Sequence, residues 1–329
     1  MDVDIILEPN VTPAQMAELG VEAERLGIRA LWSSNYHSQY DAFLTLAPVA
    51  AATSRLRIGP LAVSPWEMHP LKMANAILTL NELAGGRAMM AISGGGGLLG
   101  AIGWRASNKG PVWPPQHPVK RVSEPDRRVR GMRECIDILQ VARSGKFSMG
   151  YDGSVFVIRR PFAMAWARCD GPLLYTCSSA PQTIRLGARL ADGIQFSDYT
   201  PEMVPEGVEL ARAALAQREV PAKDFRVGNF WAWHIKKDRA ASMHEARREL
   251  IWRGAIIGQI RQDIRPFCHD DQEVQMVLDH WEDLRIAFRT RSGRIDSIPN
   301  DLLNRLIAGM SSAGDMNDID REIERYRRF

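Results

Sequence analysis

The stretch WSSNYHSQY, residues 32–40, sets an amide and an imidazole two positions apart just past an apolar run. His37 is the side chain there suited to moving a proton near neutral pH. Asn35 can only donate or accept hydrogen bonds. Both are candidate catalytic residues, weighed against the plainer reading of a polar loop. A second candidate is Ser178-Ser179-Ala180, between the apolar run LLYTC and Pro181. Hydroxyls followed by a proline suited to a first helical position predict a helix N-terminus, whose unpaired N–H groups and dipole attract a phosphate. Simple capping is the competing reading. A third is SGGGG, residues 93–97. Gly95, Gly97 and Gly100 match G-x-G-x-x-G, but Gly110, Pro111, Pro114, Pro115 and Pro118 follow. That is loop chemistry, where a dinucleotide fingerprint needs a helix at once. Gly94 and Gly95 therefore read as backbone lying close to a flat ligand. Cys268-His269-Asp270-Asp271 are contiguous and lack the i, i+3 or i+4 spacing of ligands, so no metal site is expected. His69, before Pro70, and Arg87, after Gly85-Gly86, read as structural.

These groups need elements to position them. VDIIL, residues 3–7, reads as a buried strand, and Thr12-Pro13-Ala14-Gln15 opens a helix with a capping box and an N1 proline. Met16, Leu19, Ala23 and Leu26 form one apolar stripe, and Gly27 ends it. The unit then recurs. IRALW, RLRIGPLAV, RAMMAIS, GPLLYTC, GIQFS and FRVGNFWAWHI read as further strands. Helices are expected over 42–53, 69–84, 125–143, 181–191 and 202–218. Seven βα units whose strands are apolar throughout indicate a parallel sheet covered by helices, and favour a (β/α)8 TIM barrel over an open sheet. One barrel domain over 1–329 is expected. Its insertions would be a lid loop over about 96–123 with Trp104, Trp113 and His117, a hairpin over 145–170, and a helical stretch over 254–298. The tryptophans and His234 alternate in FWAWH, which suggests that one set points into the barrel and fills its core. In such a barrel the site lies at the C-terminal ends of the strands, where Asn35, His37, the glycines and the serines all fall.

The chain has 329 residues, 45% of them hydrophobic, and a net charge of +3 with both signs interleaved. That balance gives no argument for nucleic acid or an anionic membrane surface. Four scattered cysteines without a C-x-x-C pair read as reduced thiols in a cytoplasmic protein. No apolar run approaches the length of a membrane span, and the N-terminus lacks the pattern of a signal peptide.

Residues 54–96, SRLRIGPLAVSPWEMHPLKMANAILTLNELAGGRAMMAISGGG, resemble the strand–helix–strand signature of luciferase-like oxidoreductases, in particular the branch around methylenetetrahydromethanopterin reductase. CSSAPQTIRLGARLADGIQFSD, residues 177–198, is similar to a later segment of the same family. The resemblance implies a homodimeric barrel that holds FMN or coenzyme F420 at the strand C-termini. It also implies a non-prolyl cis peptide in a strand-three bulge, placed by position at Leu61–Ala62, with the ring over Leu61, Ala62 and Val63. The phosphate would lie at Ser178–Ala180. The implied activity is hydride transfer to, or oxygenation of, a small organic substrate. The alternative is a flavin-binding or degenerate barrel without catalysis. Two departures stand out. Many members carry Asp-His at the end of strand two, where this chain has Asn35 and a displaced His37. The family closes its barrel with an eighth strand after a helix like DMNDIDREIERYRRF, and the sequence stops inside that helix, so the eighth strand is expected to be missing here or the barrel incomplete.

Overall fold

In the computed structural model, residues 2–8, 10–95, 99, 101, 127–222, 224–257 and 264–327 are described. The described chain forms two compact units, Met1–Gln195 with Glu209–Gly228, and Phe196–Val208 with Asn229–Phe329.

The first unit alternates strands and helices: β1 Asp4–Leu7, α1 Pro13–Arg25, β2 Ala30–Ser34, α2 Ala47–Ala52, β3 Arg57–Leu61, α3 Pro70–Leu83, β4 Met89–Ile92 and α4 Arg128–Arg143. A hairpin of β5 Tyr151–Asp152 and β6 Val157–Ile158 follows, then β7 Leu173–Cys177, α5 Pro181–Leu190 and β8 Gly193–Phe196. After α6 Val204–Leu215 comes β9 Arg226–Asn229. The α1 start behaves as its sequence dictates. Thr12 Oγ1 accepts from the Gln15 N–H, and Gln15 Oε1 accepts from the Thr12 N–H.

Strands β1, β2 and β3 pair in parallel, and β4, β7, β8 and β9 form the next run. Parallel bridges at Ile58–Ala88 and Val63–Ile92 join β3 to β4. The sheet also curls. Trp32 on β2 and Tyr175 on β7 are three strand steps apart, yet their rings meet edge to face at 5.5 Å. A flat sheet would hold strands three steps apart at roughly 14 Å, at just under 5 Å per step. The two rings therefore lie on the concave side of a strongly curved sheet. Leu31, Ile58, Met90, Ile92 and Leu174 point the other way, into one core with Met16, Val49, Met73, Ile77 and Met132 of the helices.

Carboxylates on the helices fasten the loops. Glu24 of α1 accepts the N–H groups of Ser54, Arg55 and Leu56. Glu134 of α4 accepts those of Ser154, Val155 and Phe156, and so holds the expected hairpin. Arg87 donates to the carbonyls of Ala50, Thr53 and Leu56, the structural role expected of it.

The second unit is mostly helical: α7 Arg239–Ile257, α8 Asp271–Asp279, α9 Trp281–Arg289, α10 Asn300–Met310 and α11 Ile319–Arg327. Leu250, Val277, Leu284, Leu303 and Ile307 form its core. Among the described residues no regular strand follows β9, and only an isolated bridge stands in the place of an eighth. Ser312 bridges Trp233 in parallel, donating to Ala232 O and accepting from the His234 N–H, and this passage precedes the terminal helix. The reason is composition: MSSAG is short and polar, with neither alternation nor β-branched residues to mark a strand. The FWAWH alternation is real, but the buried set is Ala232 and His234, while Trp233 is 47% exposed.

Candidate active site

The site begins with a change of step on β3. From Ile58–Ala88 to Val63–Ile92, five residues advance on β3 against four on β4. One extra residue on one strand is a bulge. Toward β2 the ladder stays in register as far as Ser34–Leu61. The peptide bond Leu61–Ala62 is cis, at the position the sequence resemblance gave.

Asn35, one residue past the end of β2, spans this bulge. Its N–H donates to Leu61 O at 2.9 Å. Its Nδ2 donates to Ala62 O at 3.1 Å and to Glu67 Oε1 at 2.7 Å. Both amide hydrogens are thereby engaged, so the amide organises backbone and carboxyl. His37, two residues on, stands exposed in a turn outside this network.

Glu67 is the residue that sequence reasoning missed. It sits in SPWEMHP, where an acid among prolines reads as a solvated loop. The turn closes on itself: Glu67 N–H donates to Ser64 O at 3.1 Å, and Glu67 Oε1 accepts the Ser64 N–H at 2.7 Å. Trp66 pins the turn in place. Its ring lies where a Cβ on Gly131 of α4 would come within 2.5 Å, and it tilts against Phe156 of the hairpin at 6.2 Å. His69 ends the turn by accepting the Leu71 N–H at the start of α3, so it is indeed structural. Burial pushes the Glu67 carboxyl up to about 7, against the pull of the Ser64 and Asn35 donors. The sequence signal that could have found it was the acid itself, three residues after a serine at the end of a strand.

Glycine backbone faces the same turn. Gly95 has φ +87, and a Cβ there would lie 2.8 Å from Ser64 Oγ and 2.4 Å from Leu99 Cγ. Gly94 is looser, its nearest neighbours being Arg128 and Met132 side chains at 3.7 and 3.9 Å. Val63, Ser64, Ser93 and Gly95 thus form one patch with Asn35 and Glu67, tied by Ser93 N–H to Val63 O at 3.0 Å.

Ser178, Ser179 and Ala180 lie at the end of β7, on the C-terminal edge of the sheet shared by the bulge, since every strand between is parallel. Ser178 N–H donates to Gln195 O, and Ser178 Oγ accepts the Ala180 N–H at 2.9 Å. Ala180 caps α5 without a side-chain bond, and Pro181 has no N–H. One of the donors expected for a phosphate is therefore already used within the loop. Trp104, Trp113, His117 and the rest of the expected lid over 98–122 fall outside the described residues, apart from isolated helical positions 99 and 101. Asp270, in the CHDD stretch, caps α8 by accepting the Glu273 N–H. Among the described residues no group of three metal-ligating side chains is close enough to hold an ion, and no helix is long and apolar enough to cross a membrane.

The residues fit a flavin-type ring. Backbone at Leu61–Val63 is displaced from the β3–β4 ladder, glycine backbone adjoins the turn that follows it, and a carboxyl whose Oε2 takes no hydrogen bond among the described residues stands at its edge.

Comparison with known proteins agrees with this geometry. The chain is 25% identical over 225 residues to 5,10-methylenetetrahydromethanopterin reductase of Archaeoglobus fulgidus, covering 68% of this chain and 61% of that relative's length. It superposes on the coenzyme F420-dependent tetrahydromethanopterin reductase of Methanopyrus kandleri with a TM-score of 0.74 at 19% identity, over 99% of this chain and 90% of that one. The oxygenating constituent of 3,6-diketocamphane monooxygenase of Pseudomonas putida, solved with FMN, gives a TM-score of 0.60 at 16% identity, over 100% and 88%. These neighbours share the luciferase-like TIM-barrel fold, and the α/β chain with its parallel curled sheet has that fold too. The model of the luciferase-like monooxygenase family matches residues 3–329, and this chain belongs to that family.

Proposed function

We propose that the chain is an oxidoreductase that binds coenzyme F420, or failing that FMN, at the C-terminal edge of the sheet and acts on a small organic substrate. The observation that carries this reading is the bulge at Leu61–Val63, bound by Asn35 and followed by Ser64, which the Gly95 backbone approaches, in a chain of this family. The bulge backbone would support the ring, and Ser178, Ser179 and the α5 start would hold the phosphate. When bound, the cofactor supplies a hydride acceptor or donor, or in the FMN case a route to oxygen activation. The chain's own part is to orient the ring and keep the adjoining carboxyl and amide in place. The F420-dependent reductase neighbour and the F420-dependent dehydrogenase relatives favour F420, and the FMN-bound neighbour keeps FMN as the second arm. The same reading carries a homodimer in the cytoplasm, the first of which light scattering tests.

The deciding experiment is a fluorescence titration of F420 and of FMN into the protein. Saturable binding of one, lost when the bulge is removed by deleting Ala62, supports the reading. No binding of either overturns it.

A further inference from the structure

We infer that Glu67 is the acid–base residue of this site, exchanging a proton through Oε2 with the molecule bound over the Leu61–Val63 bulge; this rests on the oxidoreductase reading above. The geometry separates the two carboxyl oxygens. Oε1 takes both donors, the Ser64 N–H and Asn35 Nδ2, each at 2.7 Å. Oε2 carries neither, so it is the oxygen on which a proton can sit and from which it can leave. The carboxyl is one hydrogen bond from Asn35, whose amide also holds Ala62 O, so it stands at the edge of the bulge itself. Trp66, seated on Gly131, fixes the turn that carries it, and a fixed carboxyl is what proton transfer at one atom requires.

The environment suits the task. Three influences set the ionisation: burial, which raises it, and the Ser64 and Asn35 donors, which lower it. No charged side chain among the described residues contributes, whether on the end of β2, on the bulge, on the turn or on α4. Both forms are therefore populated near neutral pH. Asn35 and His37 stand where the family often has Asp-His, and neither fills the role here. The amide has no proton to exchange, and the imidazole is exposed outside the network. Among the described residues Glu67 is the titratable group left at the bulge.

The step balances simply. Reduction of a polar double bond adds a hydride, drawn from the reduced deazaflavin or flavin, and a proton. The Glu67 Oε2–H bond breaks, its electron pair stays on the carboxylate, and the proton bonds to the heteroatom of the substrate. Water then reprotonates the carboxylate. Oxidation of an alcohol runs the same exchange backward.

The test is infrared difference spectroscopy on the full chain and on Glu67→Gln, beside F420 and FMN titrations of both. The Gln carbonyl still accepts the Ser64 and Asn35 donors, so the turn and the cofactor affinity should be retained. A protonated-carboxyl band present in the wild type and missing from Glu67→Gln should fall to half near pH 7, and should shift when the cofactor is added. A wild type lacking that band in mildly acid buffer overturns the inference. So does a band that bound cofactor leaves unmoved. If neither cofactor binds the wild type, the oxidoreductase reading fails first and the inference fails with it, a result that the titrations show independently of the band.

Discussion

Glu67 and Glu134 are both carboxyls drawn out of water, and their surroundings send them in opposite directions. Glu134 is 2% exposed and accepts the N–H groups of Ser154, Val155 and Phe156, the Ser154 hydroxyl and the Arg130 guanidinium. Despite its burial it is held down at about 2. Glu67 has two donors and no cation, and rises to about 7. Burial favours the neutral acid in both cases, so the number and charge of the donors decide the outcome. A carboxyl saturated with donors is a fastener; one left with a spare oxygen can hold a proton.

The most disruptive way to test this contrast is Glu134→Ala. It strands three loop N–H groups and should lower unfolding stability by about 3–5 kcal/mol in urea titrations. A loss under about 1 kcal/mol would mean the hairpin is fastened elsewhere.

Opposite pH slopes should follow. Glu134 ionises more readily folded than unfolded. Its contribution is therefore full above the ordinary carboxyl range near 4.5 and is lost as pH falls toward 2. Glu67 ionises less readily folded. Its proton-linked contribution is full below about 4.5 and is lost as pH rises through about 7. The stability gap between the wild type and Glu134→Gln should widen from pH 2 upward. The gap between the wild type and Glu67→Gln should shift in favour of Gln between pH 4.5 and 7. Each change should be about 2–3 kcal/mol. Parallel slopes would refute the contrast.

Asn35→Ala should cost about 1–3 kcal/mol by leaving Ala62 O and Glu67 short of a donor, and should raise the Glu67 midpoint in the same infrared titration. A smaller effect still is expected at the other end of the site. Ser178→Ala with Ser179→Ala should weaken F420 or FMN binding by about 1–2 kcal/mol, since one loop donor is already engaged, with little change in Tm. Unchanged affinity would make these serines part of the loop alone.

Local order was legible from local spacing. The Thr12–Gln15 box and the α5 start at Pro181 depend on residues within one turn, and both stand as read. The strand order followed from apolar runs. The bulge position came from resemblance, since nothing in RIGPLAV by itself says that the ladder slips. Glu67 stayed hidden because its meaning depends on Asn35, 32 residues away, brought near only by the pairing of β2 with β3. The passage through Ser312 stayed hidden because two serines and a glycine carry no strand pattern, and its partner at Trp233 lies far back in the chain.

The slip on β3 also reverses the phase of everything after it. Up to Leu61, even-numbered residues such as Ile58 face the helices; past it, odd-numbered Val63 does so, in the same core as Ile92. Deleting Ala62 would restore an unbroken ladder with Val63 still beside Ile92 and facing the helices, but it would remove the displaced carbonyl that Asn35 binds. Any transplant of residues 64–69 must therefore carry the extra residue along to keep that carbonyl, and an alignment that runs ungapped through the bulge against an unbroken strand exchanges inside for outside from Val63 onward.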